Sequence, residues 1–235
     1  MLQTVRSLLR RKKSFLEIYG RERFYRYGES AVTFWPLVLP LLQSPKSVVD
    51  FGSGSCDWLA ALRDFSPGID CVGVDHPDVP TDAIHIPVEN FIHADLSQPV
   101  NLGRRFDLAI CLEVAEHLPS SAAQTLVDTL MRHSDLVLFS AAIPGQRGKG
   151  HINLQWPLYW IERFAAGGYQ CHDIARPLIW NEPRIKHWYR QNTFLFSLAP
   201  LVFKTSADWG GASIVHPMLY EKVVKSAQLR PSRLR

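Results

Sequence analysis

The 235-residue chain is poor in most of the features that announce a function by composition alone. It has four cysteines, Cys56, Cys71, Cys111 and Cys171, widely spaced and without a C-x-x-C pair. That excludes a zinc knuckle or a dithiol redox centre and fits a reducing compartment, so a cytoplasmic location is expected. No apolar run reaches the length of a membrane span. The longest, "AVTFWPLVLPLL" (31–42), holds Pro36 and Pro40 and predicts a helix packed under the domain and interrupted near its prolines. The N-terminus is basic but lacks an apolar core segment, so no signal peptide is expected. The net charge of +4 is too small to argue for nucleic acid. Its excess sits at the ends, in Arg6, Arg10, Arg11, Lys12 and Lys13 and in Arg230, Arg233 and Arg235. Solvated termini explain these better than a phosphate-binding arm.

Internal repeats, low-complexity tracts and linkers are also missing, so one domain over 1–235 is expected. It divides into an N-terminal helical segment (1–46), a cofactor-binding core (47–142) and an acceptor-side loop with closing strands and tail (143–235).

What the chain does have is a rhythm. Hydrophobic residues make up 46% and charged residues 20%, as in a folded globular protein. Short apolar runs at 47–51, 70–75, 91–95, 106–112 and 135–142 read as strands. Helical patterns follow at about 56–65 and 120–134, the latter with Ser120 or Ser121 as its N-cap. Near-continuous apolar strands separated by helices imply a parallel sheet covered on both faces. The expected fold is α/β, a Rossmann-like, doubly wound, mostly parallel seven-stranded sheet. A helix over 158–169, stopped by Gly167 and Gly168, and a strand pair from 169–180 and 192–199 close the chain. The polar and aromatic segment between those strands, "NEPRIKHWYRQ", is expected to lie over the site.

The stretch "VVDFGSGSCDW" (48–58) is a strand, a glycine turn and a helix start. A dinucleotide turn needs G-x-G-x-x-G, but Asp57 stands at the third glycine position, where a pyrophosphate would meet a carboxylate. A P-loop ending is missing as well. A cofactor with an ammonium and a sulfonium suits an acidic turn better, and S-adenosylmethionine is such a cofactor. Asp50 precedes the turn, Asp57 follows it, and Gly52 and Gly54 are expected to let the backbone approach closely.

The turn resembles the D/E-x-G-x-G motif of the class I S-adenosylmethionine-dependent methyltransferases. The resemblance spans roughly 45–200. It implies that Asp75, with His76 beside it, takes the ribose hydroxyls. It also implies that Asp95 and the Leu96 amide meet the adenine, and that Glu113 in "CLEVAEHLP" lies near the methionine end.

Methyl transfer is an in-line displacement, so the protein mainly aligns an acceptor and removes a proton where the acceptor is a hydroxyl. His117 and His151 are the candidate bases. The loop "GHINLQWPLYW" adds Asn153 and Gln155 to bind hydroxyls, and Trp156 and Tyr159 to stack on a ring. A structural reading also exists, with His117 capping its turn and Trp156, Tyr159 and Trp160 in the core. Glu113, Glu116, His117 and His151 are also similar to the set that holds a divalent metal in the small-RNA 3′-end 2′-O-methyltransferases. A metal is allowed here but not favoured.

The reading is an O-methyltransferase acting on a sugar or a glycosylated or natural-product hydroxyl, similar to bacterial enzymes of polysaccharide and natural-product pathways. Its partner is a small-molecule acceptor. Nucleic acid and membrane are not expected, and a homodimer is allowed. The alternatives are an RNA 2′-O-methyltransferase and a non-catalytic cofactor-binding partner protein.

Overall fold

The computed structural model describes residues 28–201 and 214–228. The basic clusters at both chain ends lie outside these residues. After helix α1 (Glu29–Val38), strand β1 (Ser47–Phe51) leads to α2 (Asp57–Phe65) and β2 (Asp70–Asp75). Strands β3 (Phe91–His93) and β4 (Leu108–Leu112) precede α3 (Ala123–His133) and β5 (Leu136–Ser140). Then come α4 (Pro157–Ala166), β6 (Gln170–His172), α5 (Ala175–Ile179), α6 (His187–Asn192), β7 (Phe194–Ser197) and α7 (Pro217–Gln228).

The seven strands form one sheet in the order β3-β2-β1-β4-β5-β7-β6. Strands β1 to β5 run parallel, and β7 enters antiparallel between β5 and β6. Strand order reverses beside β1, so the carboxyl ends of β1 and β4 open a crevice where ligands of such sheets bind.

Two-residue alternation sorts the apolar strand residues onto the two faces. Val48, Leu108, Ile110 and Leu138 pack with Phe34, Trp35, Leu59 and Leu62 of α1 and α2. Val49, Phe51, Ala109, Val137 and Phe139 pack with Leu126, Leu130, Trp160 and Phe164 of α3 and α4. Both faces are therefore buried, as the doubly wound reading requires.

Two local expectations change, and the interruption expected near the prolines of 31–42 occurs at Pro40 and not at Pro36. Ser120 and Ser121 do not cap α3: a 3₁₀ turn after Pro119, with Ala122 N–H donating to Pro119 O (2.8 Å), starts the helix instead. Pro36 lies inside α1, which tightens to a 3₁₀ turn at Leu39–Leu41 around Pro40. The strand expected over 169–180 stops at His172, because Arg176 is buried and pulls the chain into α5. Its guanidinium pairs with Asp173, donates to Gln191 O and lies 4.3 Å from the Phe194 ring centroid.

The β1–α2 turn rests on β2 at Gly73. A Cβ there would lie 2.5 Å from Cys56 Sγ and 2.9 Å from Ser53 Oγ. Gly73→Ala is therefore expected to destabilise the fold by about 1–3 kcal/mol, read as a lower urea midpoint with an unchanged slope.

Candidate active site

The β1–α2 turn is built from left-handed residues: Gly52 (φ 87°), Gly54 (φ 55°) and Cys56 (φ 64°). Gly52 and Ser53 N–H groups donate to Val74 O at 2.7 and 3.2 Å. Gly54 N–H donates to Asp75 Oδ2 (2.6 Å), and His76 N–H to Asp75 Oδ1 (2.6 Å). Asp75 thus pins the turn to the end of β2. The two glycines do different work. A side chain at Gly52 would overlap Val114, whereas one at Gly54 would meet nothing within 4 Å. Both glycines line the cleft, Gly52 making room for Val114 and Gly54 leaving open space beside the turn.

The turn forms one wall of a cleft of about 760 Å³, within the usual range for a ligand site. Of the residues singled out from sequence, Gly52, Gly54, Asp57, Glu113, Glu116, His117 and His151 line it. Asp57, in the first turn of α2, accepts from Ser55 Oγ (2.9 Å) and pairs with His85 Nδ1 (2.8 Å). Trp58 beside it meets Tyr189 of α6 edge-on, with centroids 4.9 Å apart, so the closing segment does reach over the cleft.

The other candidates lie outside this lining. Asp50 is buried in β1. His76 turns to Asp78, and Asp95 Oδ1 caps its own turn by accepting Ser97 N–H (2.9 Å), with Leu96 buried behind it. Asn153 Nδ2 reaches toward Ala115 O (3.4 Å) and Gln155 Nε2 donates to Asn153 Oδ1 (2.9 Å). These two amides fasten the loop to the turn after β4, aided by Ile152 and Asn153 N–H groups on Glu116 O. Trp156 precedes α4 and is largely exposed, and Tyr159 stacks under the Arg163 guanidinium at 3.4 Å.

Glu113 follows β4 with φ 57°, and a network absorbs that unusual backbone. Its N–H is shared between Ser140 O and Oγ, both 3.0 Å away. Asn192 Nδ2 donates to Oε1 (3.0 Å) and Gln146 Nε2 to Oε2 (2.7 Å), while Asn192 Nδ2 also meets Gln146 Oε1 (2.9 Å). Burial pushes the Glu113 carboxyl up, and these hydrogen bonds oppose it. Gln146 and Asn192 carry no motif, and only the fold brings them here.

Gln146 also sets the imidazole of His151. Its carbonyl accepts from His151 Nδ1 (3.0 Å). A carbonyl only accepts, so Nδ1 carries the hydrogen and Nε2 holds the lone pair of the neutral ring. Nε2 lies 4.0 Å from Glu116 Oε1, and the ring meets His117 edge-on at 4.8 Å between centroids. Gly148 supplies the room, since a side chain there would overlap the imidazole. Glu116 is fully buried with neither carboxylate oxygen hydrogen-bonded. Burial, then the Glu113 charge, hold its carboxyl well above the ordinary range. Ligand atoms of Glu116, His117 and His151 lie within 4.8 Å of one another, so these three are the described residues that could hold a metal ion.

The methyltransferase-domain family model matches residues 19–173, more than half of the chain. The chain belongs to that family. No curated protein matches this methyltransferase in sequence. Its fold is similar to solved structures of the same class. The sugar N-methyltransferase KedS8 from Streptoalloteichus sp ATCC 53650 aligns with TM-score 0.57 and 15% identity over 81% of this chain and 95% of that one. DesVI from Streptomyces venezuelae aligns with TM-score 0.56 and 12% identity over 80% and 100%. The plantazolicin methyltransferase BpumL, solved with SAH, aligns with TM-score 0.52 and 14% identity over 76% and 86%. Among the described residues of this methyltransferase, no helix is long and apolar enough to cross a membrane.

Asp50 supplies a pH test. Its Oδ2 is buried without a hydrogen bond, and burial, then Asp75 and Asp57, raise its carboxyl well above the ordinary value. The folded state therefore holds this proton more tightly than the unfolded chain. The cost of Asp50 is absent below about pH 4 and grows as pH rises toward its folded value. Asp50→Asn is expected to gain melting temperature over wild type progressively from pH 4 upward. A pH-independent difference would contradict this.

Proposed function

We propose that the chain transfers the methyl group of S-adenosylmethionine to a hydroxyl of a small-molecule acceptor, a sugar or a glycosylated or natural-product ring. The observation that carries this reading is one cleft joining an open glycine turn to an imidazole of fixed tautomer. The turn fits the cofactor: Gly54 leaves space, Asp57 offers a carboxylate to a cationic group, and Asp75 sits at the end of the neighbouring strand. The neighbours named as a sugar N-methyltransferase and as an SAH complex support a sugar acceptor and this cofactor.

When bound, S-adenosylmethionine supplies an activated methyl and a good leaving group. The chain's own residues then do three things. The turn and Glu113 hold the amino-acid end. Trp58 and Tyr189 wall off the cleft and exclude water. His151 takes the acceptor's hydroxyl proton at Nε2, while its Nδ1–H stays on the Gln146 carbonyl and keeps the ring aimed. Gln146 acts as a positioning residue.

His151→Ala is expected to lower kcat about 100-fold or more while leaving the calorimetric Kd for S-adenosylhomocysteine unchanged. Unaltered turnover would remove His151 from the mechanism, and absence of any heat with S-adenosylhomocysteine would remove the cofactor.

The buried Glu116 carboxyl beside His117 and His151 favours a second reading. A divalent ion held by Glu116, His117 and His151 would lower the acceptor hydroxyl's pKa and replace the base. Under this reading a chelator abolishes turnover and Mg²⁺ or Mn²⁺ restores it. Under the first reading turnover is indifferent to chelator.

A further inference from the structure

Charge around the cleft is segregated by element. The carboxylates that line it are Glu29 at the start of α1, Asp57 of the β1–α2 turn, and Glu113 and Glu116 after β4. The cations that line it come from other segments: Arg147 and Lys149 in the loop after β5, Lys186 just before α6, and Lys222 on α7. These basic segments are neighbours. A Cβ at Gly145 would lie 3.5 Å from Val223, so the loop after β5 packs on α7 one residue from Lys222. Buried His187, the first residue of α6, feels the same field. Burial, then Lys222, His216, Arg190 and Lys186, push its imidazole down to about 4, so it is neutral at pH 7.

Arg147, Lys186 and Lys222 have no ion-pair partner among the described residues. Like charges gathered without ion-pair partners repel one another, and they focus a positive potential on their own side of the cleft. The cofactor assigned above accounts for at most one of them. It brings an ammonium and a sulfonium, which belong with the acidic end, and a single carboxylate, against four cations in the lining. The basic end is thus matched to whatever enters beside the cofactor.

We infer that the acceptor is an anion: a ring-bearing small molecule whose phosphate or carboxylate group docks between Arg147, Lys186 and Lys222, with its hydroxyl presented toward His151. Lys149 adds to the field, and Trp188 and Tyr189, which also line the cleft, flank the ring. This rests on the methyl-transfer reading and narrows its acceptor from any hydroxyl compound to a negatively charged one. Lysine and arginine at exposed positions attract such a group over about a Debye length, so the attraction weakens as salt rises.

The test is calorimetry on full-length protein saturated with S-adenosylhomocysteine, titrated with glucose 6-phosphate, glucuronate and glucose. The phosphate or the carboxylate sugar, or both, should bind at least ten times more tightly than glucose, and the stronger of the two names the anion. That advantage should fall on raising salt from 50 to 500 mM and disappear in Lys186→Gln/Lys222→Gln. The Lys186→Arg/Lys222→Arg pair should restore it, which separates charge from folding. Equal binding of all three sugars, or an advantage that survives loss of both lysines, overturns the inference. So does a short single-stranded RNA that binds more tightly than either charged sugar. S-adenosylhomocysteine binding should be the same in every variant. If it fails in wild type, the cofactor reading falls first and the acceptor assignment with it.

Discussion

The site depends on one contact in which a side chain fills the place of another that is absent. Val114, just past the end of β4, occupies the space that a Cβ on Gly52 would need. This lets the turns after β1 and β4 close against each other at the switch point of the sheet. Glu113, one residue before, is thereby committed to a left-handed backbone. That conformation disfavours a residue with a side chain, by roughly 1–3 kcal/mol. The hydrogen bonds of Ser140, Gln146 and Asn192 offset it, and in forming they draw the loop after β5 and the end of α6 onto the cleft. Close packing at one seam thus propagates into the placement of every wall.

Charge follows the same geometry. The parallel strands end together and bring Asp50, Asp75, Glu113 and Glu116 to one edge of the sheet. Like charges in so small a volume cannot all ionise cheaply once buried. Asp75 is settled by two backbone amides and Glu113 by two side-chain amides. Asp50 and Glu116 have less help, and theirs are the carboxyls that burial raises most plainly. The thiols of the neighbouring turn and strands go the same way: burial pushes Cys56, Cys71 and Cys111 up, so they behave as small apolar residues.

The sheet was legible in the sequence because buried parallel strands are apolar on both faces and separated by helices, a pattern that survives without any contact information. The turn was legible because left-handed backbone selects glycine and because Asp57 breaks the dinucleotide pattern. The acceptor side was read less well. Asn153, Gln155 and Tyr159 have the right chemistry for binding a sugar, but they hydrogen-bond or stack within the loop and α4, and with the exposed Trp156 they stand outside the cleft lining. Residues that do line the cleft, such as Gln146, Lys186 and Trp188, stand in segments without periodicity, and only the antiparallel insertion of β7 brings those segments together. Local sequence carries no record of which loops converge. The helix α5 was missed for a related reason, since a buried arginine ion pair overrides the apolar run around it.

Gln146 belongs to two constellations at once. Its side chain completes the hydrogen bonds of Glu113, and its carbonyl orients His151. The loop after β5 is therefore no interchangeable module. A change that removes the amide at this point leaves Glu113 with one hydrogen-bond donor fewer and shifts the carbonyl that orients His151. The segment before α6 and the exposed face of α7 line the same cleft and stand apart from this network. There, side chains can change without touching the shared network.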